Sequence, residues 1–256
     1  MNEYNMNRAI QHVKLMDDKF HKEIQYSIQN SYIYEAEKER LFQNTKYNKT
    51  KITVTKEDSV SAIFTCGGKN IAVLNFASFK NPGGKFLDGG MAQEECLCHN
   101  STLYNVLREF NDTFYKPNKK LLNRGLYSDR LIYSKDILFI GPENNIKKAD
   151  VITCAAPNIK PGLKYKTITM NEVETVLFYR ILLILNSACK NNIDTLILGA
   201  FGCGVFGNDP NMVACKFKSL LDVFDGCFNK VIFAIPCNNN HSCYNHDVFK
   251  SILGGK

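Results

Sequence analysis

Two adjacent glutamates, Glu94 and Glu95, are the side chains of this sequence best suited to acid–base chemistry. Neighbouring carboxylates repel each other in a dry pocket, so one of them is expected to have a raised pKa and to hold a proton near neutral pH. A carboxylic acid in that state can protonate a glycosidic oxygen. Neighbours on a helix point about 100° apart, so the two cannot flank one bond and their roles must differ. The structural alternative is that both acids simply favour the first turn of a helix because of its dipole.

A glycine-rich segment leads into these acids. It follows the apolar run Ile71 to Phe76, contains Gly83-Gly84 and Gly89-Gly90, and ends at Gln93-Glu94-Glu95. Glycine lets the backbone approach a ligand closely and adopt a positive φ, and the N–H groups at a helix start attract anions. The order of strand, glycine loop and acidic helix start therefore predicts a ligand-binding edge.

A second glycine-rich segment, Gly199 to Pro210, joins an apolar strand to a capped helix and has the pattern of a phosphate cradle. Gly202 to Gly207 also matches the Gly-x-Gly-x-x-Gly pattern of dinucleotide-binding folds. That motif should open the fold and lead to a strand ending in an acid, whereas the one strand that remains here ends at Ile235-Pro236-Cys237. No Gly-Lys-Ser/Thr follows, which excludes a Walker loop. Two such loops at strand ends predict one shared crevice.

Four nearly continuous apolar runs predict the central strands of a largely parallel sheet that helices cover on both faces. They are Ile71 to Phe76, Val151 to Ala155, Thr195 to Ala200, and Val231 to Ile235. Shorter strands are predicted at Ile52 to Thr55 and at Ile137 to Ile140.

Helices are predicted from apolar spacing and capping residues. Asp58 is expected to cap one helix, Asn171 with Glu174 a second, and Asp209-Pro210 a third. The first 45 residues are predicted to form a helical layer, on the spacing of Ile10, Val13, Met16, Phe20, Ile24, Ile28 and Tyr32. The polar, basic segment Asn111 to Lys135 is interpreted as a surface loop or as a flap over a site.

Composition indicates an ordinary globular protein. The chain has 256 residues, with 45% hydrophobic and 22% charged residues, which favours one elaborated domain. A net charge of +7 suits a polyanionic substrate, but the lysines are scattered and lack interleaved aromatic residues, so direct nucleic-acid binding is not expected. Met1 to Ala9 lacks an apolar signal region, and no run is long enough to span a bilayer. An intracellular, reducing location is therefore expected: the cytoplasm, with access to the nucleus left open.

The ten cysteines are accordingly expected to be reduced thiols and not a disulfide framework. Two segments combine cysteine and histidine, Cys96 to His99 and Cys237 to His246. The first cannot direct three neighbouring side chains at one ion, and the second matches no paired zinc module. No metal site and no cofactor is predicted.

With both glycine segments in view, the chain resembles the microbial-type poly(ADP-ribose) glycohydrolase family, a branch of the macrodomain superfamily. The resemblance covers about two-thirds of the chain in order, a far more specific signal than any single glycine motif. It rests on Leu74 to Ser78, Gln93-Glu94-Glu95, Ser101 to Tyr104, Ala155 to Asn158, Gly199 to Phe206, and Val231 to Ile235.

The resemblance implies a three-layer α/β/α macrodomain-like fold with a mixed, largely parallel sheet. Residues 1–45 would be a helical extension packed on a catalytic domain of residues 46–256. ADP-ribose or poly(ADP-ribose), free or attached to modified proteins, would be the partner of a monomeric enzyme. Glu95 would protonate the departing ribose oxygen and then activate water, while Glu94 orients the leaving ribose. Asn81, Gly83 and Gly84 would line the distal ribose, and Gln93 would be a further substrate-binding residue.

The same resemblance implies that Gly202, Cys203, Gly204, Val205 and Phe206 wrap the diphosphate, with Phe206 packed on the distal ribose. Phe233 or Ile235 would contact adenine. No metal would be needed, because the diphosphate itself would stabilise an oxocarbenium-like ribose.

One departure from the family pattern bears on activity. The family has three successive glycines where this chain has Gly83-Gly84-Lys85, which brings a cation and a Cβ to a place where close backbone approach is expected. Two alternatives to a poly(ADP-ribose) glycohydrolase therefore stay open. One is an ADP-ribose-binding macrodomain with little catalysis, and the other is a hydrolase of mono-ADP-ribose, which would use the same pocket.

Overall fold

A computed structural model describes residues 3–254, which are built around a single seven-stranded sheet. The strands are β1 (Tyr32–Glu35), β2 (Lys51–Thr55), β3 (Ile71–Phe76), β4 (Arg130–Ile140), β5 (Ile146–Cys154), β6 (Thr195–Leu198) and β7 (Lys230–Ala234). Their order across the sheet is β1-β4-β5-β3-β6-β7-β2. Strand β4 is antiparallel to β1 and β5, and all the other pairs are parallel. The predicted mixed, largely parallel sheet is confirmed.

Helices cover both faces of this sheet. They are α1 (Glu3–Lys19), α2 (His21–Gln29), α3 (Ser59–Thr65), α4 (Gln93–His99), α5 (Leu103–Leu107), α6 (Lys116–Asn118), α7 (Ile159–Lys164), α8 (Met170–Lys190), α9 (Pro210–Val223) and α10 (Asn240–Leu253). Helices α8, α9 and α10 bury apolar side chains on one face, and α1 to α5 do so on the other. In β3, Leu74 packs in the first of these clusters and Val73 in the second, because successive strand residues point to opposite faces.

The N-terminal segment contributes a strand as well as helices. Helices α1 and α2 bury Met16 and Ile24 against the sheet, as the helical spacing predicted. The extension of that pattern to Tyr32 is wrong, because Tyr32 starts strand β1 and pairs with Tyr133 of β4. The partner strand is about a hundred residues further along the chain, so no local spacing could indicate this pairing.

Helix starts agree with the capping rules, with one displacement. Asp58 and Asp209 cap α3 and α9 as predicted, each accepting a backbone N–H at the first turn. Helix α8 is capped by Thr169 and not by Asn171: the Thr169 hydroxyl oxygen accepts the N–H of Glu172, and the Glu172 carboxylate accepts the N–H of Thr169. Both candidate pairs have the capping-box spacing, and the earlier pair is the one used.

The segment from Asn111 to Lys135 is packed near both ends, while residues 119–124 are exposed as a surface loop. Short helical turns run from Arg108 to Asn118, and strand β4 occupies the segment from Arg130 onward. Phe114 and Asn118 are buried, and the Asn118 side chain donates to the carbonyl of Phe79 at 2.8 Å. Its amide oxygen accepts from Arg130 at 3.0 Å. These buried polar contacts anchor the segment beneath the loop that follows β3.

Between residues 3 and 254, no helix is both long enough and apolar enough to pass through a membrane.

Candidate active site

A cavity of about 1280 Å³ lies at the carboxyl ends of β3, β6 and β7. Parallel strands bring their carboxyl ends to one edge of a sheet, and the two glycine-rich segments therefore meet there. Ten of the residues singled out from the sequence line this cavity: Asn81, Gly84, Gln93, Glu94, Glu95, Gly202, Gly204, Val205, Phe206 and Ile235.

Gln93 joins the first turn of α4 to the end of β3. Its side-chain oxygen accepts the N–H of Phe76 at 2.8 Å, and its amide donates to the carbonyl of Leu74 at 2.8 Å and to the hydroxyl of Ser59 at 3.0 Å. Both ends of the amide are thus occupied by protein groups. Gln93 therefore holds the start of α4, which carries both acids, against the end of β3.

Glu94 is buried, with 3% of its surface exposed, and all its contacts are to protein donors. One carboxyl oxygen accepts the N–H of Ser78 at 2.7 Å, and the other accepts the side-chain amide of Asn75 at 3.3 Å. Burial raises the pKa of Glu94 to about 8, and the charge of Glu95 adds to this rise, while the hydrogen bonds oppose it. Of the two acids, Glu94 is therefore the one whose pKa rises towards neutrality.

Glu95 has one carboxyl oxygen that forms no hydrogen bond with the described part of the chain. Its Oε1 accepts the N–H of Lys85 at 2.8 Å, and its Oε2 has no hydrogen-bond partner among residues 3–254. The side chain is 7% exposed and faces the cavity. A buried carboxyl oxygen without a partner is costly, so a ligand hydroxyl or a water that binds it is favoured.

Gly84 is the residue that lets both carboxyl groups approach the loop. A Cβ at this position would lie 2.6 Å from Glu95 Oε1 and 2.8 Å from Glu94 Oε2, and the backbone has a φ of +60°. Gly83 also has a positive φ, of +65°. Lys85 does not belong to the residues with positive φ, so its Cβ causes no backbone strain. Its side chain is exposed at the cavity wall.

The second glycine-rich loop presents unpaired backbone donors. In the described chain, no hydrogen bond uses the N–H groups of Gly204, Val205 or Phe206. Gly202 has a φ of +75°, and a Cβ there would lie 2.5 Å from the Asn208 amide, so this turn requires glycine. The Asn208 amide in turn donates to the carbonyls of Pro157 and Gly202. A fixed loop with free N–H groups is suited to binding an anion.

Aromatic side chains form one wall of the cavity. Phe79 stacks on Tyr127 at a centroid distance of 4.2 Å, and Tyr127 meets Phe206 edge-on at 6.2 Å. Tyr127 was not predicted from the sequence, because it lies in the segment interpreted as a loop or flap. Burial raises the pKa of the Tyr127 hydroxyl, so it stays neutral and available as a hydrogen-bond donor.

A buried arginine holds Tyr127 in place. Arg180 of α8 is fully buried, pairs with Asp129 at 2.8 Å, and donates to the carbonyls of Leu126 and Ala155. These contacts fix both the Tyr127 segment and the end of β5 from beneath. The helical pattern of α8 gave no sign of this role.

Another part of the cavity wall comes from the C-terminal segment. Ile235, Asn238, His241 and Ser242 line the cavity, and the His241 ring contacts the carbonyl of Cys203 at 3.0 Å. Cys237 and Cys243 are joined by a disulfide across this turn, with their Cα atoms 4.3 Å apart. The prediction that every cysteine is a reduced thiol is wrong for this pair, because the helix start of α10 folds one cysteine back onto the other.

Three of the predicted contact residues do not line the cavity. Phe233 is fully buried between Phe217 and Phe249 and cannot contact adenine, because it points into the core face of β7. Cys203 is buried with its thiol turned inward, and burial raises its pKa to about 12. Gly83 is buried behind Gly84, where a Cβ would meet Tyr104.

No group of three or more His, Cys, Asp or Glu side chains in the described part of the chain is arranged to hold a metal ion.

Comparison with known proteins gives one family and a set of solved structures. Residues 6–141 match the family described as the microbial-type PARG catalytic domain. No curated protein sequence matches the chain.

The solved structures are similar over nearly the whole length. Poly(ADP-ribose) glycohydrolase from Thermomonospora curvata has 29% identity and a TM-score of 0.89, with 98% of this chain and 100% of that chain covered. The same enzyme bound to the inhibitor ADP-HPD has 30% identity and a TM-score of 0.85, with 98% and 99% covered. Poly(ADP-ribose) glycohydrolase from Deinococcus radiodurans in complex with ADP-ribose has 30% identity and a TM-score of 0.80, with 90% and 97% covered.

Proposed function

We propose that this chain, which belongs to the microbial-type poly(ADP-ribose) glycohydrolase family, binds ADP-ribose units and hydrolyses the ribose–ribose O-glycosidic bond of poly(ADP-ribose). The similar Deinococcus structure holds ADP-ribose, and a similar Thermomonospora structure holds the inhibitor ADP-HPD. The cavity of this chain is large enough for such a ligand and combines free backbone donors with an acidic pair. The observation that carries the proposal is the unpaired Oε2 of Glu95 in that cavity.

Glu95 is proposed as the general acid and base. Of the four carboxyl oxygens of the pair, its Oε2 is the one without a hydrogen-bond partner among residues 3–254. It would give a proton to the glycosidic oxygen as the bond from that oxygen to the anomeric carbon breaks. It would then take a proton from water as the water oxygen adds to the same carbon.

Glu94 is proposed to orient the leaving ribose and to limit the charge of the pair. Its burial and its raised pKa, about 8, leave it largely protonated at neutral pH. Two ionised carboxylates against Gly84 would repel each other, so one proton shared by the pair is the favoured state. Glu95 is the member of the pair that would donate to the leaving oxygen, because its Oε2 alone lacks a hydrogen-bond partner among residues 3–254.

The remaining cavity residues are proposed to bind ADP-ribose. The free N–H groups of Gly204, Val205 and Phe206 would bind the diphosphate, and the Phe206 ring would pack on the distal ribose. Asn81 and Gly84 would line that ribose, and Ile235 would contact adenine. The diphosphate, held next to the distal ribose, would stabilise the positive charge that develops there.

The position of Lys85 favours hydrolysis over binding alone. A substitution that pushed the loop away from the acids would support a non-catalytic domain. Here the backbone N–H of Lys85 instead holds Glu95, and the side chain lies outside the contact between Gly84 and the two carboxyl groups. Hydrolysis of mono-ADP-ribose on a protein uses the same pocket, and a panel of substrates with different leaving groups separates the two activities.

The test is release of ADP-ribose from poly(ADP-ribose). Wild type should release it, Glu95→Gln should be at least about 100-fold slower, as expected for loss of a general acid, and Glu23→Gln should match wild type. Glu23 is an exposed acid of α2 and controls for the change of carboxylate to amide. No release by wild type contradicts the proposed function. Equal release by wild type and Glu95→Gln contradicts the role of Glu95 alone.

A further inference from the structure

Basic residues without neighbouring acids surround the aromatic wall of the cavity. Residues 78–87, 115–128 and 155–171 contain nine lysines and arginines and no aspartate or glutamate. The whole chain has 32 basic and 25 acidic residues, so an even distribution would place several acids in these segments. The wall therefore lies within a part of the chain whose charged side chains are all positive.

The fold brings these three segments together, although they are far apart in sequence. The side-chain amide of Asn118 donates to the carbonyl of Phe79 at 2.8 Å, which joins the second segment to the first. The N–H of Asn158 donates to the carbonyl of Gly125 at 2.8 Å, which joins the third segment to the second. Lysines that are scattered in the sequence are thus collected around the aromatic wall.

Three exposed lysines lie next to Phe79, at one end of this wall. Lys80 directly follows Phe79, and Lys119 and Lys120 directly follow Asn118, whose amide is bound to Phe79. Lys80 lines the cavity, whereas Lys119 and Lys120 do not. Among residues 3–254, no carboxylate forms an ion pair with any of the three, so their charges are available to an anionic ligand.

A fourth exposed lysine lies at the other end of the wall, beside Phe206. The N–H of Ile159 donates to the carbonyl of Phe206 at 3.1 Å, and Lys160 follows Ile159. The Lys160 side chain crosses Gly207: a Cβ on this glycine would lie 2.7 Å from Lys160 Cγ and 2.8 Å from its Cε. No ion pair of the described chain uses the Lys160 ammonium group. The name basic rim is used here for these four residues: Lys80, Lys119, Lys120 and Lys160.

The proposed substrate is a polyanion that extends beyond the cavity. The unit bound in the cavity is joined through its distal ribose to the rest of the polymer, which carries a diphosphate in every unit. That ribose is proposed to lie against Asn81 and Phe206. Lys80 directly precedes Asn81, and Lys160 crosses the glycine that follows Phe206. A chain that leaves the cavity at this ribose therefore meets the basic rim.

We propose that the basic rim is a docking surface for the part of a poly(ADP-ribose) chain that lies outside the cavity. The inference rests on the proposed hydrolase function and adds to it a surface that recognises the polymer. Each exposed ionic contact is weak by itself. The unit held in the cavity keeps the rest of the chain at a high effective concentration near the lysines, so several weak contacts together raise the affinity.

The experiment measures binding to the slow variant Glu95→Gln. The two ligands are free ADP-ribose, which does not reach beyond the cavity, and a size-fractionated preparation of long poly(ADP-ribose) chains. Adding Lys119→Glu/Lys120→Glu should raise the Kd for the polymer about tenfold, the effect of turning two weak ionic contacts into repulsion. The Kd for ADP-ribose should stay within about twofold. Lys14→Glu/Lys22→Glu makes the same change of charge on exposed residues of α1 and α2 and should leave both Kd values within about twofold.

Kinetics and salt dependence give two further measurements. In protein that retains Glu95, Lys119→Glu/Lys120→Glu should lower kcat/KM for the polymer about tenfold, through KM and not through kcat. The difference from the parent protein should shrink as salt is raised, because exposed charges are screened. The slope of log Kd against log salt concentration for the polymer should become shallower by about one.

Each unfavourable result has a distinct meaning. An equal loss of affinity for ADP-ribose and for the polymer would show that the substitutions damage the cavity, and it would overturn the docking surface. An unchanged Kd for the polymer would overturn it as well. Single-stranded DNA of equal charge should displace the polymer at least about tenfold less well than unlabelled polymer does, because DNA has no unit anchored in the cavity.

Equal displacement by DNA would overturn the assignment of the surface to poly(ADP-ribose). The proposed hydrolase function is tested separately by release of ADP-ribose. If wild type releases none but the loss of polymer affinity in Lys119→Glu/Lys120→Glu persists, the hydrolase function is wrong and the docking surface stands.

Discussion

Replacing Glu94 by glutamine should stabilise the protein increasingly as the pH rises. The folded state holds the proton of Glu94 more tightly than the unfolded chain, since burial raises its pKa from 4.5 to about 8. A raised acid pKa means that stability is lost as the pH increases from about 4.5 to about 8. Glutamine carries no charge at any pH in this range and escapes that loss.

The magnitude follows from the shift. Relative to its value at low pH, the free energy of unfolding falls by about 2 kcal/mol at pH 6 and about 4 kcal/mol at pH 8, because the unfolded chain releases a proton that folded Glu94 retains. The free energy of unfolding of Glu94→Gln should therefore gain about 3 kcal/mol on wild type between pH 5 and pH 8.

Glutamine also fits the hydrogen bonds at this position. The Ser78 N–H, at 2.7 Å from Glu94, can donate to the amide oxygen. The buried carbonyl oxygen of Asn75 has no partner in the described structure, and a flip of the Asn75 amide would let it accept the new amide N–H. The same flip would let a protonated Glu94 donate to Asn75.

The assay is urea unfolding at pH 5, 6, 7 and 8, followed by far-UV circular dichroism because the chain contains no tryptophan. Glu23→Gln, on an exposed face of α2, is the matched control. The difference between its free energy of unfolding and that of wild type should stay constant with pH. A pH-independent difference for Glu94→Gln would refute the reasoning, because it would mean that Glu94 titrates alike in the folded and unfolded chains.

Three further outcomes are expected. Gly84→Ala should lower activity at least about 100-fold, because its Cβ would press on both carboxyl groups. Gly67 has a similar positive φ and open space around it, so Gly67→Ala should keep wild-type activity. Equal activity of the two variants would contradict the close approach of Gly84 to the acids. Arg180→Met should lower the free energy of unfolding in urea by about 3–5 kcal/mol, because it leaves Asp129 and two carbonyls unpaired. It should also weaken ADP-ribose binding in calorimetry. A loss of unfolding free energy below about 1 kcal/mol would contradict this prediction. Reducing the disulfide with a dithiol should raise the Kd for ADP-ribose about two- to fivefold by loosening the cavity wall. The double variant Cys237→Ser/Cys243→Ser should not respond to the dithiol, because its cavity wall is already loose. A wild-type Kd that is insensitive to reduction would contradict a role of the disulfide in binding.

The sheet and the two glycine loops were predictable because their signals are local. Buried parallel strands are apolar at nearly every position, and Ile71–Phe76 and Thr195–Leu198 fall where such runs occur. A glycine segment that directly follows a strand must lie at the carboxyl edge of the sheet, so Gly84 and Gly202 could be placed in one crevice without coordinates.

The features that were missed depend on partners far away in sequence. Strand β1 exists because it pairs with β4, and Arg180 is buried because Asp129 and two carbonyls meet it there. Tyr127 lies in a polar segment whose composition resembles a surface loop, and its place at the cavity depends on that arginine. The cysteines of the C-terminal turn are six residues apart, a spacing that does not distinguish paired from free thiols.

The backbone of the glycine-rich loop explains why position 85 accepts a side chain, whereas positions 83 and 84 do not. Gly83 and Gly84 have positive φ values, and Gly84 faces both carboxyl groups, so a side chain at either would cost strain or contact. Position 85 has an ordinary φ, and its contribution to the acidic pair is a backbone N–H that any residue except proline supplies. The side chain at 85 is therefore free to vary without disturbing the hydrogen bond that holds Glu95.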